Sequence, residues 1–168
     1  SDNGGERYSR MWPLVGEKGD LLEGGIRVPA LVRYPGVIPA AHTSDQVAMT
    51  MDWAATLLRL TGADQQLPLD GVDILPMLTG ASRRIDRRLY WRFVGQRQAA
   101  VREGPLKYLR VGKHEYLFNI EEDPRERANL APEHSKVAAR LRQAFEKWNQ
   151  SMLPDTGIEG YVFGPDRL

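Results

Sequence analysis

Between Arg88 and Ile120 short runs of alternating character are cut by two-residue turn signals, and that pattern restricts this part of the chain to an antiparallel sheet. Leu89, Trp91 and Phe93 alternate with Arg88, Tyr90 and Arg92. Leu106 to Val111 and Tyr116 to Ile120 are further β-like runs, separated by Gly104-Pro105 and by Gly112-Lys113. Three or four short strands fit. Pro132 then stands at a helix start, and Val137, Leu141, Ala144, Phe145 and Trp148 fall on one stripe of an amphipathic helix that would cover one face of the sheet. Ser151 to Leu168, with Gly157, Gly160, Gly164, Pro154 and Pro165, reads as a tail lying across the surface.

The earlier residues follow other patterns. Residues 1–27 are rich in glycine and charge, hold no sustained period, and read as a long loop of the kind that is functional or disordered. Ile26 to Tyr34 is an apolar run closed by Pro35-Gly36, which predicts a buried strand, with Pro29 keeping its first residues at an edge. From Thr50 the spacing of Trp53, Leu57 and Leu60 predicts a helix, with Thr50 or Asp52 as its cap and Gly62 ending it. Leu67 to Gly80 reads as an ordered connection with one helical turn around Ile74 to Leu78. No internal repeat is present. The division expected is therefore an α/β portion over 1–85, an antiparallel sheet with one helix over 86–150, and the tail over 151–168.

Composition removes several functions. The 168 residues include no Cys, which excludes disulfides, cysteine-held zinc and thiol nucleophiles. A net charge of +1 is not that of a nucleic-acid-binding polycation. No run of apolar residues is long enough to span a membrane. The opening residues Ser1, Asp2, Asn3 and Gly4 are polar. The chain has no initiator Met and opens inside a motif, so it is expected to be a fragment, and the compartment stays open between periplasmic or secreted and cytoplasmic.

Charge is unevenly spread. Arg83 to Lys113 holds ten Lys/Arg against Asp86 and Glu103, a balance of +8, which leaves −7 for the rest. These cations could steer a polyanionic substrate. The favoured account is that they pair with Glu115, Glu121, Glu122, Asp123 and Glu126 on the sheet and its surface.

Chemistry could begin at Asp2-Asn3-Gly4-Gly5, where a carboxylate and an amide carbonyl lie together on a loop. Those are hard oxygen donors of the sort Ca²⁺ and Mg²⁺ take, although Asn-Gly alone is a common turn. Lys18, in Gly16-Glu17-Lys18-Gly19, could reach an anionic oxygen or be a solvated surface lysine. In Glu23-Gly24-Gly25-Ile26-Arg27 the glycines permit tight folding, and Glu23 and Arg27 are expected to pair and hold the loop. Asp52 and Trp53 are expected to cap and pack. His42, His114 and His134 read as loop or surface residues.

Taken in order, Asp2-Asn3-Gly4-Gly5, GEKG around Lys18, EGGIRVPALVRYPG, DQVAMTMDWAATLLRLTGA and LFNIEEDPRERANLA closely resemble the C-terminal part of the sulfatase family, in its bacterial arylsulfatase-like branch, over Ser1 to about Trp148. The resemblance implies an α/β fold that is the C-terminal part of an alkaline-phosphatase-like fold, with a small antiparallel sheet plus helix. It implies a sulfuric ester hydrolase acting on a sulfate ester small molecule or a sulfated glycan. In that family the Asp-Asn pair ligates a divalent metal, usually Ca²⁺, so Asp2 and Asn3 would be metal ligands. The family's lysine before the EGG segment contacts the sulfate ester, so Lys18 would be a catalytic, substrate-binding residue.

The family nucleophile is a formylglycine made within a C/S-x-P-x-R motif, and no such motif lies in this sequence. The family's other carboxylates and histidines also belong upstream. The chain alone is accordingly expected to be inactive and to bind Ca²⁺ weakly or not at all, since two oxygen ligands fill only part of the six to eight positions that ion takes, in round numbers about a third. Many members carry Thr-Thr after the lysine, where this chain has Gly19-Asp20-Leu21-Leu22, so the ester hydrolysed stays open. Two alternatives remain at this stage: a phosphomonoester, phosphodiester or phosphonate hydrolase of the same superfamily, and a non-catalytic anion- or glycan-binding module.

Overall fold

A computed structural model describes residues 1–63, 68–82, 84–93, 95 and 97–153. The expected surface tail from Pro154 to Leu168 lies outside the described residues. The chain divides into two compact units. One joins Asn3–Pro29 to the residues from Asp86 on, with Ser1. The other is Ala30–Ile85, with Asp2.

In the first unit the alternation seen in the sequence becomes four strands, β1 (Arg88–Phe93), β2 (Gln98–Glu103), β3 (Leu106–Val111) and β4 (His114–Asn119), in a simple antiparallel meander. Glu103 faces Leu106 and Val111 faces His114, so each of those hairpins has a two-residue loop. Gly104 and Gly112 both have φ of 58°, the positive value that such tight hairpin turns need at their first position. The pleat sends Ala99, Val101, Tyr108 and Leu117 to one face, where they bury Leu141 and Phe145 of α4 (Ser135–Gln150). Each of those two side chains contributes roughly 1.5–3 kcal/mol by leaving water. His134 occupies the position before this helix without a side-chain capping bond, and Pro132 lies in the turn that leads into it. Val137 and Trp148 pack at the margin, and Tyr90 stacks on Trp148 with ring centroids 5.1 Å apart.

The opposite face, carrying Ala100, Leu109 and Phe118, is covered by Leu21, Leu22 and Ile120. Both faces of the sheet are therefore buried. The second cover is the loop before α1 (Glu23–Ile26), a single helical turn.

The strand expected over Ile26 to Tyr34 does not form: its first residue closes α1, and residues 27–34 have no regular structure. A strand exists only where a neighbour takes its N–H and C=O groups. Among the described residues nothing pairs with this run, Pro29 withholds a donor, and Leu31 is 99% exposed.

In the second unit α2 (Thr50–Thr61) ends, as expected, at Gly62 in the left-handed conformation. Its buried face differs from the apolar spacing. Asp52, Ala55 and Thr56 are buried while Leu57 and Leu60 are exposed. Polar bonding explains the inversion. The Asp52 carboxylate accepts the Met49 amide at 2.6 Å and the Val72 amide at 3.0 Å, so Asp52 caps from inside the first turn and Met49 occupies the cap position. Thr56 Oγ1 accepts the Ile74 amide at 3.0 Å and donates to the Asp52 carbonyl at 2.7 Å. These bonds seat α3 (Leu75–Leu78), the single turn expected in the connection, against α2. A side chain at Gly71 would collide with the Met51 carbonyl.

Candidate functional site

Three glycine-bearing segments close on one another through their backbones. The Gly4 amide donates to the Gly25 carbonyl at 2.8 Å, the Gly24 amide to the Val15 carbonyl at 2.7 Å, and the Lys18 amide to the Gly5 carbonyl at 2.8 Å. No side chain fits in this knot. A Cβ on Gly4 would overlap the Gly24 carbonyl oxygen, one on Gly24 the carbonyls of Val15 and Gly16, and one on Gly25 the carbonyls of Asp20 and Glu17. Gly4 of DNGG and both glycines of EGG are thus required by close backbone contact, a tighter constraint than loop flexibility, whereas a Cβ on Gly5 would meet the Ser9 and Met11 side chains.

Beside this knot the Lys18 ammonium meets the Glu6 carboxylate at 2.8 Å, both side chains being exposed. Asn3 is half-buried and Asp2 exposed. The Ser1 hydroxyl donates to the Asn3 carbonyl at 2.8 Å. Asp2 and Asn3 offer oxygen donors only, the kind a hard divalent cation takes. Among the described residues no group of three or more His, Asp or Glu side chains could hold a metal ion.

The loop is pinned to the sheet at several points. Gln98 Oε1 accepts the Leu21 amide at 2.8 Å. The Asp20 carboxylate accepts the Glu17 amide at 3.1 Å, and burial pushes its pKa up against a bond to Gln98 that lowers it. Deeper lies a charge cluster that sequence spacing missed. Lys107 projects from β3 with no accessible surface, and its ammonium stands 2.9 Å from Glu23 Oε1 and 2.8 Å from Glu126 Oε1. The second contact has ion-pair distance but lies off the line of a good hydrogen bond. The Glu23 amide donates to Glu126 Oε2 at 2.6 Å. Burial raises the Glu126 pKa, and the Lys107 charge opposes that rise.

One sequence expectation is extended here and one corrected. The expected Glu23–Arg27 pair forms at 3.9 Å, but Glu23 takes Lys107 as its closer partner at 2.9 Å, because the one-turn helix aims the Glu23 carboxylate into the core. Lys107 and Glu126, expected in a solvated charge pattern, are both buried. Glu23, Lys107 and Glu126 are far apart in sequence, so no local spacing could have joined them; the one signal was a lysine on the apolar parity of β3, in step with Leu109.

The remaining charges of the Arg-rich stretch are varied. Arg88 pairs with Glu103, which Arg140 also contacts at 2.6 Å. Arg92 donates to Asn149 and to the Leu153 carbonyl, and the Arg110 guanidinium lies 5.3 Å from the Phe145 ring centre. Glu115 pairs with Arg142 of α4, from outside the stretch. The polar residues of the segment after β4 bond to backbone: Asp123 accepts the Arg127 and Ala128 amides, and Asn129 the Leu117 and Ala131 amides. His42, His114 and His134 are exposed. Among the described residues no helix is long and apolar enough to cross a membrane.

The chain is similar to known sulfatases in sequence and to solved structures in fold. The crystal structure of Ps i-CgsB in complex with k-i-k-neocarrahexaose is 27% identical with a TM-score of 0.75, covering 92% of this chain and 37% of that one. Steryl-sulfatase of Homo sapiens is 30% identical over 83% of this chain, and arylsulfatase A of Bos taurus 33% identical over 90%. The chain spans about a third of their lengths, 31% and 35% respectively. Residues 17–151 match the family described as N-sulphoglucosamine sulphohydrolase, C-terminal. The chain belongs to that sulfatase family, and its fold is the α/β, alkaline-phosphatase-like one expected from sequence, with the small antiparallel sheet plus helix.

Proposed function

We propose that this chain supplies metal and sulfate contacts to the active site of a sulfuric ester hydrolase of the arylsulfatase kind, completed by a formylglycine borne outside these residues. The observation that carries the proposal is the backbone knot joining Gly5 to Lys18 and Gly4 to Gly25, which draws the DNGG, GEKG and EGG segments together. Asp2 and Asn3 would hold Ca²⁺, whose charge, when bound, lowers the cost of negative charge on the ester oxygens. Lys18 would exchange Glu6 for a sulfuryl oxygen and stabilise the charge that grows there as the ester bond breaks. Its exposed setting would let the ammonium move from one anion to the other, and its amide bond to Gly5 limits how far the backbone can follow.

The substrate proposed is a sulfate ester on a small molecule or a glycan, and the neocarrahexaose complex of the similar structure favours the glycan. The test is turnover of para-nitrophenyl sulfate against para-nitrophenyl phosphate by the enzyme that carries this chain with its formylglycine. Preference for the sulfate supports the proposal, and preference for the phosphate contradicts it. The chain by itself is expected to be inactive and to show no micromolar Ca²⁺ affinity by calorimetry.

A further inference from the structure

The turn after β4 grips the glycine-knotted loop with two consecutive residues. The Arg125 guanidinium lies 4.4 Å from the Trp12 ring centre, a cation–π distance. Its neighbour Glu126 reaches the start of α1, accepting the Glu23 amide at 2.6 Å while the Lys107 ammonium stands 2.8 Å from its other oxygen. A first-turn amide has no partner inside its own helix, so an outside acceptor fixes where that helix begins. Glu126 has φ of 53°, a left-handed value that a residue with a side chain keeps only where its surroundings hold it.

We propose that Glu126 is a positioning residue for the candidate site: by holding the Glu23 amide it sets the Gly24–Gly25 backbone on which Gly4, and through it Asn3 and the Lys18 loop, is seated. The inference rests on the sulfate-ester reading above. The transmission path is short and stiff. Glu23 is followed directly by the two glycines, Gly25 accepts the Gly4 amide, and Gly5 accepts the Lys18 amide. Because a Cβ at Gly4 would already overlap the Gly24 oxygen, the contact has no slack, and a displacement of α1 passes to Gly4 undamped.

A different account would make Glu126 merely a counter-charge for Lys107. Two variants separate the accounts. Glu126→Asp keeps the charge but withdraws the carboxylate from the Glu23 amide, whereas Glu126→Gln keeps the reach and drops the charge, leaving a balanced Glu23–Lys107 pair in the core. Hydrogen exchange on the 168-residue chain reads the result directly. In Glu126→Asp the Gly4, Gly24 and Lys18 amides are expected to exchange about tenfold faster while the Tyr108 and Leu117 amides of the sheet keep their rates, and Glu126→Gln stays within about threefold of the parent sequence. In the formylglycine-bearing enzyme, Glu126→Asp is expected to lower kcat on an aryl sulfate about tenfold with KM within about twofold, and Glu126→Gln to restore it. Faster Gly4 exchange in Glu126→Gln overturns the inference on its own, whether or not Glu126→Asp folds. Sheet amides quickening in step with Gly4 overturn it as well. An enzyme with the parent sequence that leaves aryl sulfates intact contradicts the sulfate-ester reading instead, and the exchange rates still decide whether Glu126 positions the loop.

Discussion

The Lys18 amide donates to the Gly5 carbonyl at 2.8 Å, which places the lysine's backbone against the opening DNGG segment. A bond between main chains does not depend on where the exposed ammonium points, so it holds whichever anion the side chain meets. It makes the separation between the opening segment and the lysine a property of the backbone, held in turn by Gly4, Gly24 and Gly25, where a Cβ would meet backbone atoms.

Gly4→Ala is expected to cost on the order of 3 kcal/mol, because its methyl must force apart two backbones that cannot repack. Gly104→Ala supplies the comparison. Its φ is also unfavourable for a side chain, but nothing lies within 4 Å of the new methyl, so the cost is about 1 kcal/mol from the left-handed backbone alone. Urea unfolding followed by tryptophan fluorescence measures both. Equal losses would mean that the knot is looser than described.

Glu103 carries a pH dependence whose sign can be worked out. The Arg140 hydrogen bond, partly offset by burial and aided by Arg88, holds its carboxyl at about 2, below the ordinary 4.5. The folded chain therefore releases this proton more readily than the unfolded one. The stabilisation is full above the unfolded value and disappears as pH falls through the folded one, between about pH 4.5 and 2. Glu103→Gln is expected to lose about 1 kcal/mol at neutral pH, a figure already reduced for solvent screening. The gap to the parent sequence should close on acidification, and a constant gap across that range would exclude the ion pairs as its cause.

The Arg-rich stretch is expected to bind heparin poorly. Lys107 is buried between carboxylates, Arg88 is paired with Glu103, and Arg92 and Arg110 are engaged with α4 or the residues just after it. The 168-residue chain should pass unretained through a heparin column at physiological salt. Retention that needs high salt for release would favour the non-catalytic anion-binding module.

The sheet and α4 were legible because their signals are local: period-two alternation, two-residue turns with glycine, and an apolar stripe on a helix. Ile26 to Tyr34 carried a different strand signal, an apolar run closed by Pro35-Gly36, but pairing requires a neighbour that sequence does not reveal. In α2 the apolar positions Leu57 and Leu60 pointed to the wrong face, since Asp52 and Thr56 turn inward to bond the backbone at residues 72 and 74. At the candidate site the order of motifs was readable, and the reason for their glycines was not, because it lies in contacts between segments. The Glu23–Lys107–Glu126 cluster joins three distant stretches of chain and left only Lys107, charged on the apolar side of its strand, as a trace.

The most direct measurement of the central claim is the turnover of an aryl sulfate by the formylglycine-bearing enzyme with Lys18→Ala, read alongside its unfolding midpoint. Convergence of the DNGG, GEKG and EGG segments on one sulfuryl group predicts that kcat/KM falls by about a hundredfold to a thousandfold while the midpoint stays put, because the exposed lysine stabilises the reacting charge and not the fold. A Lys18→Ala enzyme that keeps kcat/KM within about threefold of the parent sequence would contradict it.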